Sequence, residues 1–375
     1  MPQTITAHTL HTADGSLDYP VITVEDGRIL EVTSGPPCAS EDVLTPTFLD
    51  IHVHGALGHD FMLASLPEMQ AVGRFLAARG VGHYLPTTVT SDVEVTLRAL
   101  ATLATFLGQA TPDDAARPLG LHLEGPFLCP AKRGVHPLDH LLPPSIENFD
   151  RFQQAAQGTI RLLTLAPEMP GALDLIAYAV AQGVRVSLGH SNATAAETEA
   201  AIRAGASSAT HIFNAMRTLD HREPGLVGAV LDSDQLFAEC IVDGVHVHPA
   251  MVRLWFKMKG ERRAILVTDG MSATGMPDGT YRLGDLVVEM HNGICLSDGV
   301  LAGSVLTLDK AVSNFCHFTG ASLATGTRLA SRNPAEMLGL AEKLAFAPGS
   351  PANFNVYDRS GERRGCILNG RRLPL

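Results

Sequence analysis

The 375-residue sequence predicts an α/β fold, a (β/α)8 TIM-like barrel beside a small β-sandwich built from both termini. Three observations carry this expectation. Eight short apolar runs punctuate the middle of the chain, and six of them end in an acidic residue or a histidine. Strand-like and helix-like segments alternate through the same region, as they do in a parallel β/α fold. The two ends read differently, as short alternating segments between turn signals.

The elements follow in order. Val21-Ile22-Thr23-Val24, then Glu25-Asp26-Gly27, then Arg28-Ile29-Leu30-Glu31-Val32 reads as a hairpin. Helices are expected from Leu66 to Arg79, Val93 to Leu107, Ala172 to Gln182, Ala195 to Ala204 and Pro249 to Met258. Gly80, Gly183, Gly205 and Gly260 stand just past four of these patterns, where a left-handed C-terminal residue stops a helix. Leu286 to Met290, a turn at His291-Asn292-Gly293, and Ile294 to Leu296 predict one hairpin inserted after the eighth strand, near 281–300. Helical pattern resumes at Leu306 and runs, with breaks, to Leu340. Ala352 to Tyr357 and Gly365 to Leu368 look like strands that return to the N-terminal ones. The expected division is a β-domain of 1–44 with 346–375, and a barrel of 45–345.

Composition bounds the function. A net charge of −11 argues against a nucleic-acid partner, which usually finds a basic face. An anionic small substrate stays compatible, because a local Arg/His pocket can sit in a negative protein. The six cysteines form no CxxC pair, which suits a reducing cytosol. No signal peptide is apparent, and no apolar run approaches the ~18 to 20 residues that span a bilayer, so a cytoplasmic protein free of membrane is expected.

The strand ends carry the chemistry. His52 and His54 are two apart on a strand and share a face, so both can ligate one ion. Glu124, His190, His211 and Asp269 stand at equivalent places on other strands. Taken singly, each histidine is as readily a hydrogen-bonded polar residue at a barrel mouth. Together they form an imidazole and carboxylate set suited to zinc and similar divalent ions.

This pattern resembles the amidohydrolase superfamily: HxH after strand one, histidine after strands five and six, aspartate after strand eight. Many relatives there carry a carboxylated lysine at the end of strand four. Here that place reads Ala166-Pro167-Glu168, and Leu121-His122-Leu123-Glu124-Gly125-Pro126-Phe127 supplies a glutamate from strand three instead. That substitution is similar to the N-acetylglucosamine-6-phosphate deacetylase family. Leu165-Ala166-Pro167-Glu168, Gly189-His190-Ser191, Thr210-His211-Ile212-Phe213-Asn214-Ala215-Met216, Arg222-Glu223-Pro224-Gly225, Asp243-Gly244-Val245-His246 and Leu301-Ala302-Gly303-Ser304 extend the likeness over most of the chain. Gly270 after Asp269 is a small departure, where alanine is commoner.

The resemblance implies metal-dependent hydrolysis of the N-acetyl group of N-acetyl-D-glucosamine 6-phosphate, in amino-sugar catabolism or recycling. One or two divalent cations per subunit are implied, zinc first, with iron, cobalt, manganese or nickel as alternatives. Glu124, His190 and His211 would hold the primary ion. His52 and His54 would complete a second position, with Glu124 bridging. Such an ion brings the pKa of a bound water down toward ~7. Asp269 is then the general base and acid, and His136 a second donor to the developing oxyanion. Asn214, the backbone of Ala215, Arg222, His246 and Leu301 are the implied substrate contacts. A homodimer is also implied, in which the loop bearing Arg222 reaches the neighbouring site. The alternatives are an amidohydrolase acting on another N-acyl sugar phosphate, a cyclic amide or an aminopurine, and a catalytically silent barrel serving as a scaffold.

Overall fold

The structure is a computed structural model and describes residues 2–12 and 15–373. Eight parallel strands form the barrel: β1 Phe48–Val53, β2 Val81–Thr88, β3 Leu121–Glu124, β4 Ile160–Leu165, β5 Arg185–Leu188, β6 Ser208–Ala209, β7 Phe237–Ile241 and β8 Ala264–Val267. Each pairs with the next in sequence from β1 to β8. The residues just past β8 close the ring. Asp269 N donates to His52 O at 2.9 Å, and His54 N donates to Gly270 O at 2.7 Å. The seam is therefore made of the same residues that carry the candidate chemistry.

Both faces of these strands are covered, so the runs are apolar without a solvent-facing alternation. In β1 every residue is buried. Phe48, Asp50 and His52 alternate with Leu49 and Ile51, so a polar pair enters the barrel interior while its neighbours pack against helices. The expected helices are present at Leu66–Ala78, Val93–Leu107, Ala172–Ala181 and Ala195–Ala204. The helix expected over Pro249–Met258 continues to Arg263, with Gly260 breaking it at φ 60° and ψ −170°. Two helices escaped the sequence pattern, Ile146–Ala155 and Gly225–Asp232.

The termini pair as expected into a two-sheet sandwich. One sheet holds Gln3–Thr6, Pro20–Glu25 and Arg28–Ser34. The other runs 371–373, 363–368, 354–357, 43–46, 9–12, 15–18, interleaving strands from both ends of the chain. Leu10, Ile22, Ile29, Phe354 and Val356, from both sheets, share its core.

The insertion after β8 is larger than a hairpin. It is a four-stranded antiparallel sheet: Gly279–Leu283, Leu286–His291, Ile294–Ser297 and Val300–Leu301. The Asn292-Gly293 turn read from sequence is present with both residues at positive φ. Gly284 and Asp298-Gly299 make the other reversals, also at positive φ. Two contacts pin the sheet to the barrel: Gly284 N donates to Asp60 Oδ2 at 2.9 Å and Ser91 Oγ to Asp285 Oδ2 at 2.6 Å. Among the described residues no helix is long and apolar enough to cross a membrane.

Candidate metal centre and substrate pocket

The strand ends converge at one mouth. Two overlapping groups of buried side chains could each hold an ion: His52, His54 and Glu124, and Glu124, His190 and His211. In the second, His190 Nε2 and His211 Nε2 are 3.1 Å apart, and they lie 3.3 and 3.1 Å from Glu124 Oε1. In the first, the two Nε2 atoms are 3.2 Å apart, with His52 3.4 Å from Glu124 Oε1 and His54 3.3 Å from Oε2. Donors held tetrahedrally at about 2.0 to 2.1 Å from zinc are separated by about 3.3 to 3.4 Å. The spacing fits ligands around a common centre, and Glu124 belongs to both groups. No lysine or arginine among the described residues pairs with Glu124 or Asp269; histidines alone face them.

The ligands are aimed by what lies behind them. His190 Nδ1 donates to Lys132 O at 3.1 Å, which leaves Nε2 as the lone-pair nitrogen turned inward. His190, His211 and Asp269 all sit at positive φ (47°, 29° and 51°), a conformation that non-glycine residues adopt at a cost and that here lifts each side chain over the mouth. Gly189 precedes His190 because a Cβ there would lie 2.8 Å from Thr210 Cβ. Glu168, at the strand-four position, accepts from Ser191 Oγ at 2.8 Å and ties the loop after β4 to the loop after β5.

Charge in the cluster is balanced internally. Burial would raise Glu124, but His52, His190 and His211 outweigh it and hold the carboxyl well below its ordinary range. Burial likewise opposes ionisation of Asp269, yet His52 and His54 hold it at about 2. Burial disfavours charge on His54, and Asp269 and Glu124 overcome that and raise it to about 9. A cation would take the place of such protons.

Around the ligands lies a cavity of about 300 Å³. His54, Glu124, His136, His190, His211, Asn214, Ala215, His246, Asp269 and Leu301 all line it. Asp269 Oδ1 is 3.2 Å from His54 Nε2 and 3.5 Å from His52 Nε2. His136 Nδ1 accepts from Thr90 N at 3.3 Å and meets Thr90 Oγ1 at 2.8 Å, so Nε2 carries the hydrogen, 3.8 Å from Glu124 Oε2. Burial, with His190 adding to it, holds this imidazole well below its ordinary pKa and thus neutral. His246 Nδ1 pairs with Asp243 Oδ2 at 2.6 Å, and that bond raises the His246 pKa against the effect of burial. Leu301 belongs to the inserted sheet, which also brings Leu283 and Val300 to the wall.

Of the residues named from sequence, Arg222 alone stands apart. It is exposed on the loop before the Gly225–Asp232 helix and does not line the cavity. Sequence reasoning passed over Asp50, Thr90 and Glu239. Asp50 and Glu239 are carboxyls inside β1 and β7, fully buried, and a charged residue within an apolar run was the available signal. Thr90 gave no signal, since its role depends on a loop contact with His136.

The barrel, its sandwich and this cluster define an amidohydrolase. Residues 43–373 match the amidohydrolase family model. The chain is 39% identical over 363 residues to N-acetylgalactosamine-6-phosphate deacetylase of Escherichia coli O157:H7, covering 96% of each chain. It is 35% identical over 371 residues to N-acetylglucosamine-6-phosphate deacetylase of Lysinibacillus sphaericus, covering 97% of this chain and 95% of the other. The solved structure of a Mycobacterium smegmatis N-acetyl-D-glucosamine-6-phosphate deacetylase variant, in complex with N-acetyl-D-glucosamine 6-phosphate, superposes with a TM-score of 0.92 at 34% identity over the whole of both chains. This chain belongs to the N-acetylglucosamine-6-phosphate deacetylase family of the amidohydrolases, and its relatives include an N-acetylgalactosamine-6-phosphate deacetylase.

Proposed function

We propose that this chain hydrolyses N-acetyl-D-glucosamine 6-phosphate to D-glucosamine 6-phosphate and acetate, in amino-sugar catabolism or recycling. The observation that carries the reading is the pairing of an ionised carboxylate, Asp269, with a neutral N–H donor, His136, on one ligand cluster. Glu124, His190 and His211 would hold a divalent cation, zinc in first place, with a second position between His52, His54 and Glu124. When bound, such an ion supplies a strong nucleophile from water at neutral pH and polarises the acetyl carbonyl. Asp269 Oδ1 takes the proton from the attacking water and passes it to the departing nitrogen. His136 Nε2–H donates to the carbonyl oxygen as its charge develops.

Asn214, the Ala215 backbone N–H and Leu301 position the sugar. His246, held toward its charged form by Asp243, faces the phosphate end. Arg222 cannot serve the cavity of its own chain from where it stands, so we assign it to the site of a partner subunit in a homodimer.

The 39% identical N-acetylgalactosamine-6-phosphate deacetylase favours a second reading, the C4 epimer as substrate. Steady-state deacetylation of both 6-phosphates beside unphosphorylated N-acetylglucosamine, before and after chelation and metal return, tests the proposal. Chelator-sensitive turnover with the higher kcat/KM on the glucosamine epimer is expected. A higher value on the galactosamine epimer would replace the substrate and keep the chemistry. No turnover on either phosphate would remove the assignment.

A further inference from the structure

Below the ligand cluster, the barrel interior holds a carboxyl that the proposed reaction does not use. Glu239 lies in the middle of β7, fully buried. Its Oε1 accepts from Ser187 Oγ at 3.3 Å and Ser208 Oγ at 3.4 Å. Its Oε2 is buried without a hydrogen-bond partner. The facing atom is His52 Nδ1, 3.6 Å away, which is also buried and unpartnered. Each of two polar atoms in that state carries a desolvation penalty that a shift of a few tenths of an ångström would relieve. Ser187 continues the polar layer through Thr210 Oγ1 at 2.7 Å, Thr164 Oγ1 at 2.8 Å and His122 Nε2 at 2.8 Å. His122 then packs edge-on against His52, with ring centroids 4.6 Å apart. Glu239 is thus held in place from one side and presents one oxygen toward the back of one imidazole.

A histidine that binds a metal through one nitrogen commonly donates the other N–H to a carboxylate, which fixes the ring and raises its basicity. His190 has its own such acceptor in the Lys132 carbonyl. His52 has Glu239. We propose that Glu239 is a positioning residue for His52, fixing its Nδ1–H so that Nε2 faces Glu124, and that it thereby governs occupancy of the second cation position, His52/His54/Glu124, leaving the Glu124/His190/His211 position unaffected. The inference rests on the metal-dependent reading above and concerns only the half of the cluster that contains HxH.

The test is binding of zinc alone to the chelated full chain, by calorimetric titration and by counting bound metal after dialysis. The wild type is expected to take up two ions. Glu239→Gln keeps the volume and an acceptor for the two serines, and it should weaken the second ion ten- to a hundredfold with the first unchanged. In a His52→Asn background, Glu239→Gln should add no further loss, because the partner it positions is gone. Superimposable wild-type and Glu239→Gln isotherms, uptake of one ion by the wild type, or equal weakening of both ions would overturn the proposal while the amidohydrolase reading stands. No zinc uptake by the wild type would overturn both. Should Glu239→Gln fail to fold, imidazole ¹⁵N NMR of the zinc-loaded wild type decides. A proton on Nδ1 of His52, assigned by the His52→Asn variant, is expected, and a proton on Nε2 would overturn the assignment.

Discussion

At the scale of single residues, the reading turns on which groups carry protons. Asp269 accepts only when ionised, and His52 and His54 keep it so far below neutral pH. Asp269→Asn retains the volume and removes the base. It is expected to keep metal content and lose at least ~10²–10⁴-fold in kcat; wild-type-like rates would take Asp269 out of the mechanism. In the proposed reaction His136 donates as a neutral imidazole, so His136→Gln should lower kcat by roughly 10²–10³-fold with KM little changed. A loss confined to KM would instead make it a binding contact. His54 gives a signature of its own in the chelated protein. Its folded pKa of about 9 lies above the ordinary 6.5. A raised histidine pKa stabilises below the unfolded value, and that contribution is lost as pH climbs through the folded one. The metal-free wild type should therefore lose stability relative to His54→Gln between pH 6.5 and 9 in calorimetric scans. A pH-independent difference between the two would show that the pairing with Asp269 and Glu124 is not as described.

At the scale of elements, the short exits from the strands decide the geometry. Gly125 leaves β3 at φ +74°, and a Cβ there would lie 2.2 Å from Thr90 Oγ1, the hydroxyl that meets His136. Gly125→Ala should displace Thr90 and swing His136, lowering kcat at least ~10-fold, on the way to the ~10² that a misplacement of 1 Å can cost. Metal uptake should persist, since Glu124 points from the strand itself. Loss of metal binding together with activity would mean that the whole exit had collapsed. The sequence made the barrel legible through short apolar runs alternating with helical pattern, six of the eight runs ending in an acidic residue or a histidine, and the structure brings His52, His54, Glu124, His190, His211 and Asp269 to one mouth. The two missed helices are short or weakly apolar: Ile146–Ala155 buries Phe149 and Phe152, and Gly225–Asp232 begins at a glycine with positive φ. The inserted sheet looked like one hairpin because the Asn292-Gly293 turn lies between two apolar runs, whereas the equally strong Asp298-Gly299 turn leads into a strand of two residues. Its outer strands, Gly279–Leu283 and Val300–Leu301, alternate exposed and partly buried residues and carry little apolar pattern. Glu239 and Asp50 were hidden for the opposite reason, since one charge inside an apolar run states burial but not a partner.

At the scale of the molecule, the site of a single chain is short of positive charge where a phosphate must go. The described residues lining the cavity include no lysine or arginine, while Arg222 projects from an exposed loop outside it. The proposed homodimer, if it exchanges these loops, would resolve the mismatch, because a symmetric pair can supply Arg222 to each site from the partner subunit. Two inactive variants separate this from a same-chain role. Asp269→Asn leaves a chain with no base but an intact Arg222. Arg222→Ala leaves a chain with its base and no arginine to lend. If Arg222 acts across the interface, a dimer of one of each contains one complete site, made of the base of one chain and the arginine of the other. Random pairing of equal amounts places half of the chains in such dimers, so unfolding and refolding the mixture should restore about a quarter of wild-type turnover at low substrate. Each variant refolded alone should stay inactive, and unphosphorylated N-acetylglucosamine should gain nothing from mixing. If Arg222 instead serves its own chain, every dimer in the mixture lacks a complete site and no activity returns. Sedimentation of the mixture as a monomer, with activity still absent, would remove the shared site and return Arg222 to its own chain.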